Sequence, residues 1–270
     1  MPPIPPWPAM QRESGMSLST LLRRRSRDLP PVAALDDAFR SASRTHVGRV
    51  RTVNEDRLLD RPDRGLWAVA DGMGGHSAGA AAAAAIVDAL ETLLDTQSPI
   101  DEEAVRAVLA RANRAIHDGT RGTAATSGAT VVVVSLDGMM ATICWAGDSR
   151  AYRIRSGSAE PLTRDHSVVQ EMVDAGVLTE AEAERHPQAN VVTRALGVAP
   201  TIAVDSVTTM LEPGDRLLLC SDGVSRSING RDFLTMPDEV DAMADRLLAN
   251  ALQRDGSDNA TVIVVARAVA

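Results

Sequence analysis

Lysine is missing from this chain: all 28 basic residues are arginine. A P-loop ATPase, a protein kinase and a pyridoxal phosphate enzyme each depend on a lysine amine, so all three classes fall away. Cysteine is almost absent too. Cys144 and Cys220 both sit in apolar, strand-like runs, which reads as small core residues in a reducing compartment rather than a disulfide framework. No run of helix length stays apolar over about 18 residues, and the longest candidate, 78–90, is too short and too weakly apolar to span a bilayer. The basic cluster at 23–27 is not followed by an apolar stretch, so no signal peptide is expected and the reading is cytoplasmic. Net charge is −8; residues 1–40 carry six Arg against four acidic residues, which leaves −10 for the remainder. So acidic a domain lacks the basic face that nucleic-acid phosphates require.

A length of 270 residues with 44% apolar content fits one large domain or two small ones with an ample core. Residues 1–40 open with the extended, Pro-rich MPPIPPWP and read as a mobile tail, with the globular unit expected from about Ser41 to residue 270. Strand-like runs fall at 46–53, 66–70, 129–136, 140–146, 150–155, 202–208, 215–220 and 260–267, and Gly138 suggests a hairpin between the third and fourth. Helical patterns cover 77–95, 101–118, 167–175, 179–185 and 238–253. In the second of these Val105, Val108, Leu109, Ala112 and Ile116 form one stripe. Clustered strands with helices before and between them argue for an α+β fold rather than a parallel βαβ sheet.

The stretch LWAVADGMGG, 66–75, ends an apolar run in a carboxylate beside a glycine cluster. Glycine removes the side-chain bulk that would keep a backbone away from a bound cation. An Asp-Gly pair alone is as often a simple turn. The pattern recurs, however, at Asp148 in CWAGDSR, Asp222 in LLLCSDG and Asp258 in SDNATVIVV. Converging carboxylates need a counter-charge. Oxygen donors without interleaved His or Cys point to a hard ion such as Mg²⁺ or Mn²⁺, and two such ions suit phosphoester hydrolysis.

In order, the chain carries RTVNED (51–56), DGMGG (71–75), SGAT (127–130), GDSR (147–150), LTRDHS (162–167), VVTRALG (191–197), SDG (221–223) and SDNAT (257–261). From about Arg44 to Val265 this series resembles the bacterial metal-dependent serine/threonine protein phosphatases of the 2C type. The resemblance implies two packed antiparallel β-sheets flanked by helix pairs, a four-layer α-β-β-α sandwich. It further implies two Mn²⁺ or Mg²⁺ ions, with Asp71 bridging them and the Gly72 carbonyl completing one. Asp222 and Asp258 would complete the first ion, Glu55 and (through water) Asp56 would face the second, and Asp148 with Asp222 would make a weaker third position. Arg51 would hold the substrate phosphate, and Asn259 would orient ligand waters or the Asp258 loop. The implied reaction is hydrolysis of phosphoserine and phosphothreonine on proteins by in-line attack of a metal-activated water, without a phospho-enzyme. Phosphoprotein substrates, a cognate Ser/Thr kinase to oppose and a monomeric state are the implied partners and form.

Animal members of the family carry a His directly after the Asp-Gly pair; here that position is Met73, and His76 follows three residues later. His46 and His166 are alternative proton donors for the leaving alcohol, as is a water, and the bland reading of each His is surface or capping. Residues 160–200 resemble the family's flap beside the active site, with a plain helical connector as the alternative. Two rivals stand against the main reading. Cys, five residues, then Arg, the spacing of thiolate phosphatases, occurs at 144–150 and at 220–226. An Asp in each loop opposes a phosphate dianion, and a buried thiol is inert. A degenerate member that binds phosphoproteins without hydrolysis would be expected to have lost metal carboxylates, and none is lost here.

Overall fold

The computed structural model describes residues 39–74, 78–95, 99–120 and 127–267. Residues 1–38 of the tail expected at 1–40, and the Gly75, His76 and Ser77 positions, lie outside these residues. Strands β1 (Phe39–His46), β2 (Arg57–Arg61), β3 (Leu66–Met73), β4 (Gly128–Asp137), β5 (Met140–Ala146), β6 (Arg150–Arg155), β7 (Ser158–Pro161), β8 (Asp205–Met210), β9 (Arg216–Cys220) and β10 (Ala260–Arg267) make two sheets. Their orders are β1-β10-β9-β6-β7 and β2-β3-β4-β5-β8, and every neighbouring pair is antiparallel. The helices are α1 (Ala78–Glu91), α2 (Glu102–Thr120), α3 (Val168–Asp174), α4 (Glu180–Ala183), α5 (Asp222–Ser225) and α6 (Val240–Arg254).

Strand alternation divides the core into layers. In β3, Trp67 and Val69 face Val132, Ile143, Leu217, Leu219 and Ile263 in the apolar layer between the sheets. Leu66, Ala68 and Ala70 of the same strand turn outward against Ile86, Leu90, Val108 and Leu109 of α1 and α2. On the opposite side Leu218, Cys220, Val262 and Val264 pack against Met243, Ala244, Leu247 and Ala251 of α6. Central strands buried on both faces must be apolar throughout, and β4 reads GATVVVVSLD for that reason. The result is the α-β-β-α sandwich, with α1 and α2 of similar length on one flank and α6 with the short α5 on the other. The α2 stripe is buried as its spacing predicts, and Asn113 joins it by accepting from Gly197 N–H and donating to the Ala199 carbonyl.

Two expectations are corrected. The run 46–53 is not a strand: β1 ends at His46 and the chain enters an irregular loop. Gly48 adopts φ +84°, and a Cβ there would lie 2.3 Å from the Asp258 carbonyl, so the turn exists to pack 47–55 against that loop. The strand instead runs back to Phe39, whose ring meets Trp67 edge-on at 5.9 Å across the sandwich. The tail boundary at residue 40 therefore falls two residues inside β1. The edge strands β2 and β7 escape the reading because RLLDR and SAEP bury too little to show a pattern. The predicted hairpin at Gly138 forms, with φ +60°.

Candidate metal centre

Register gathers the predicted carboxylates at one end of the sandwich. His46 pairs with Ala260, Val262 with Cys220, and Cys220 with Arg150, so the chain leaving β1, entering β10, leaving β9 and entering β6 does so on one edge. In the facing sheet Asp71 pairs with Thr130 and Val131 with Ala146, at the same edge. Asp258, Asp222, Asp148 and the 51–56 loop thus meet Asp71. Close approach is built in. A Cβ on Gly72 would stand 2.3 Å from the Gly79 carbonyl, one on Gly79 would stand 2.7 Å from Glu55 Oε1, and one on Gly223 would stand 2.0 Å from the Asn259 carbonyl. Each glycine lets two backbones touch beside a carboxylate.

The carboxylates repel one another. Burial first, and then Asp56, Asp222, Asp148 and Asp258, hold the Asp71 carboxyl well above the ordinary range. Burial and Asp222 push Asp148 up to about 7. Asp56 is pushed to about 6 by burial, even though Thr261 and Ser221 hydrogen-bond its anion. Asp222 is also raised by burial, with the Arg226 guanidinium acting against the rise, and its carboxyl meets that of Asp71 at hydrogen-bond range.

Among the described residues, the buried side-chain polar atoms without a partner are Glu55 Oε1, Asp56 Oδ1 and Asp222 Oδ1. Such groups carry a desolvation cost unless a donor or cation meets them, and all three belong to the predicted ligand set. The donors are oxygen only, so the site fits a hard divalent ion. Among the described residues no three of these side chains enclose a point as they stand. Arg51 Nη2 draws on Asp258 Oδ2 at 2.8 Å and Arg226 Nη2 on Asp222 Oδ2 at 2.5 Å, which turns one oxygen of each away. An ion that keeps several waters needs no tighter cage.

The supporting residues are mostly ones the sequence did not single out. Ser221 Oγ donates to Asp56 Oδ2 at 2.8 Å and accepts from Thr261 N–H, while Thr45 and Thr261 share a hydroxyl contact of 2.7 Å. Asn259 stitches the loop: its Nδ2 donates to the Val47 and Val53 carbonyls and its Oδ1 accepts from Glu55 N–H at 2.8 Å. Adjacent in sequence, Glu55 and Asp56 part company, Glu55 reaching the start of α1 beside Gly79 and Asp56 sinking to 2% exposure among Asp71, Asp222 and Asp258. Arg51 is half-exposed and sits under the influence of Asp258, then Glu55 and Asp222. The irregular loop leaving β1 places it there.

The histidines take other work. His166 is buried and stacked on Trp145 at 6.1 Å; its Nδ1 accepts from Gly147 N–H and its Nε2 faces Asp205 Oδ2 at 3.2 Å. With burial lowering its pKa, it is a neutral strut under the Asp148 loop. His46 Nδ1 accepts from Gly48 N–H, shaping the turn out of β1. Both thiols are buried, and burial pushes each up to about 12, so neither is a nucleophile.

A two-sheet antiparallel sandwich with an all-oxygen carboxylate centre at one edge defines a metal-dependent hydrolase. Residues 44–259 match the protein phosphatase 2C family, and the chain belongs to that family, whose members here are bacterial serine/threonine protein phosphatases. The chain is 37% identical to protein phosphatase PhpP of Streptococcus pneumoniae over 237 residues, 82% of this chain and 94% of that protein. It superposes with a TM-score of 0.77 at 41% identity on PppA, described as a key regulatory component of T6SS in Pseudomonas aeruginosa, covering 85% of this chain and 98% of that one. The catalytic domain of the serine/threonine protein phosphatase PstP, solved with two manganese ions, matches with a TM-score of 0.77 at 33% identity, covering 86% of this chain and 99% of that one.

Proposed function

We propose that the unit from Phe39 onward forms a catalytic domain that hydrolyses phosphoserine and phosphothreonine on proteins, opposing bacterial Ser/Thr kinases as a cytoplasmic monomer. The observation that carries the reading is the set of three buried, partnerless carboxylate oxygens on Glu55, Asp56 and Asp222. Asp71, the Gly72 carbonyl, Asp222 and Asp258, with Glu55 and Asp56, would hold two Mn²⁺ or Mg²⁺ ions; the place of the weaker third position that the resemblance implies lies between Asp148 and Asp222. Bound there, the ions supply the charge neutralisation and Lewis acidity that make water nucleophilic toward phosphorus. Arg51 holds the phosphoryl oxygens with two N–H groups once it exchanges Asp258 for substrate, a task suited to a planar fork. Water forms the new bond to phosphorus as the bond to the serine or threonine oxygen breaks on the opposite side. That oxygen takes its proton from water, since His166 is committed to Gly147 and Asp205. Asn259 holds the Asp258 loop against Val47, Val53 and Glu55. The 160–200 segment serves as a flap that screens protein substrates.

The test is hydrolysis of an aryl phosphate and of a phosphothreonine peptide with Mn²⁺ or Mg²⁺, before and after chelation. Activity is expected only with metal, and full turnover by protein shown to be metal-free would overturn the reading. Arg51→Ala should raise KM about tenfold or more with a smaller fall in kcat and unchanged metal uptake. Arg51→Lys should recover only part of the loss, and wild-type kinetics in Arg51→Ala would remove it from the site.

A further inference from the structure

Arg226 entered the sequence reading only as the last residue of a Cys-x5-Arg spacing and was left without a task. The structure puts it one helical turn after Asp222, at the end of α5, with its backbone N–H donating to the Asp222 carbonyl at 3.0 Å. From there its guanidinium lies 2.5 Å from Asp222 Oδ2 and 4.0 Å from Asp148 Oδ2. Both carboxylates are largely buried, and a third, Asp165, lies near Asp148. Asp165 is already answered by a bidentate pair with Arg150 at 2.8 and 2.7 Å. Among the described residues, Arg226 is therefore the cation paired with both Asp148 and Asp222. It takes Oδ2 of Asp222 while Oδ1 stays partnerless, so the two oxygens of this residue are divided between the guanidinium and the metal centre.

We propose that the Arg226 guanidinium is a built-in cation, standing between Asp148 and Asp222 where the family resemblance expects a weak third metal ion, and so limits the centre to two ions. This rests on the two-ion reading above and deepens it. A cation tethered one turn from its carboxylate is present at high effective concentration. A weakly held divalent ion must displace it and endure its positive charge at close range. Arg226 thus positions Asp148 and Asp222 and does not touch the substrate.

Metal uptake decides it. Wild type, Arg226→Gln and Arg226→Lys are each dialysed against Mn²⁺ up to millimolar concentration, and bound ions are counted by elemental analysis. Wild type and Arg226→Lys are expected to saturate near two ions per chain, and Arg226→Gln to take roughly one more, the usual consequence of baring a carboxylate pair. In the Arg226→Gln, Asp148→Ala double variant the additional ion should be lost. Melting of the metal-free proteins checks folding and gives a second readout. Arg226→Gln should melt lower than wild type and gain more on Mn²⁺ addition. Equal stoichiometry in wild type and a folded Arg226→Gln overturns the proposal, as does a third ion already present in wild type. Should Arg226→Gln fail to fold, Arg226→Lys carries the test, since a third ion in that variant would overturn it as well. Wild type that takes up no ion would instead defeat the two-ion reading beneath it.

Discussion

The loops 144–150 and 220–226 share a plan: a buried strand cysteine, an aspartate, then an arginine separated from the cysteine by five residues. Their arginines have different fates. Arg150 lies within β6, and its guanidinium closes on Asp165 in a fork and also reaches the Tyr152 hydroxyl at 3.2 Å. Arg226 follows a single helical turn and is aimed back at Asp222 and Asp148. The aspartates differ as well. Asp222 borders Asp71 at the centre of the cluster, whereas Asp148 sits at its margin, propped by a loop that His166 holds through Gly147 N–H. A shared local spacing thus says little about role; the carboxylate that tertiary structure brings opposite each arginine decides it.

The comparison breaks most visibly in activity. Asp222→Asn removes a carboxylate from the middle of the cluster and should cost about 10³-fold in turnover, while Asp148→Ala should cost only about tenfold and leave uptake of the two central ions intact. Steady-state kinetics with calorimetric metal titration separate the two, and loss of all tight metal binding in Asp148→Ala would contradict the assignment.

Stability sharpens the same contrast from the other side. Arg150→Ala strips the fork from Asp165, whose side chain is 13% exposed, and should destabilise the fold by about 1–3 kcal/mol in denaturant titrations whether or not metal is present. Arg226→Gln should instead destabilise the metal-free protein and recover with Mn²⁺. If both variants recovered equally, the arginines would not differ in kind.

Acid should act on the metal-free cluster next. Asp56 and Asp148, raised to about 6 and about 7, and Asp71 and Asp222, raised as well, bind protons more tightly folded than unfolded. Their contribution to stability is complete below the ordinary carboxylate pKa and is lost as pH rises through 6–7. His166, lowered by burial, works in the opposite sense as pH falls below its ordinary value, but it is a single group. Metal-free protein should therefore melt roughly 5 °C higher at pH 5.5 than at pH 7.5, and saturating Mn²⁺ should remove or reverse the difference. A melting curve independent of pH would show that the cluster is not under this repulsion.

The smallest effect is expected where the two loops are most alike. With both thiols pushed up to about 12 inside the core, a Cys144→Ser, Cys220→Ser double variant should keep metal-dependent turnover within about threefold and lose some stability from the buried hydroxyls. A thousandfold fall in a folded protein would revive a thiolate mechanism.

Much of the architecture follows from local chemistry that sequence displays. The α2 stripe, the Gly138 hairpin and the buried β3, β4, β9 and β10 runs are set by side-chain periodicity and glycine backbone freedom, which depend on neighbours along the chain. So is the list of aspartates beside Gly or Asn that flank the apolar runs, because each marks where a run of apolar residues begins or ends. The resemblance of those motifs, in order, to the 2C-type phosphatases named the family. Tertiary structure alone decided the rest. That β1 runs back to Phe39 and that 47–55 is a loop follow from Trp67 across the sandwich and from the Asp258 carbonyl against Gly48. That Asn259 binds three points of that loop, that Ser221 serves Asp56, that His166 is a strut, and that Arg150 and Arg226 part ways all depend on contacts between residues distant in sequence. Hydrogen bonds and charge pairs act over a few ångströms in space, and the register of ten antiparallel strands determines which groups come within that distance.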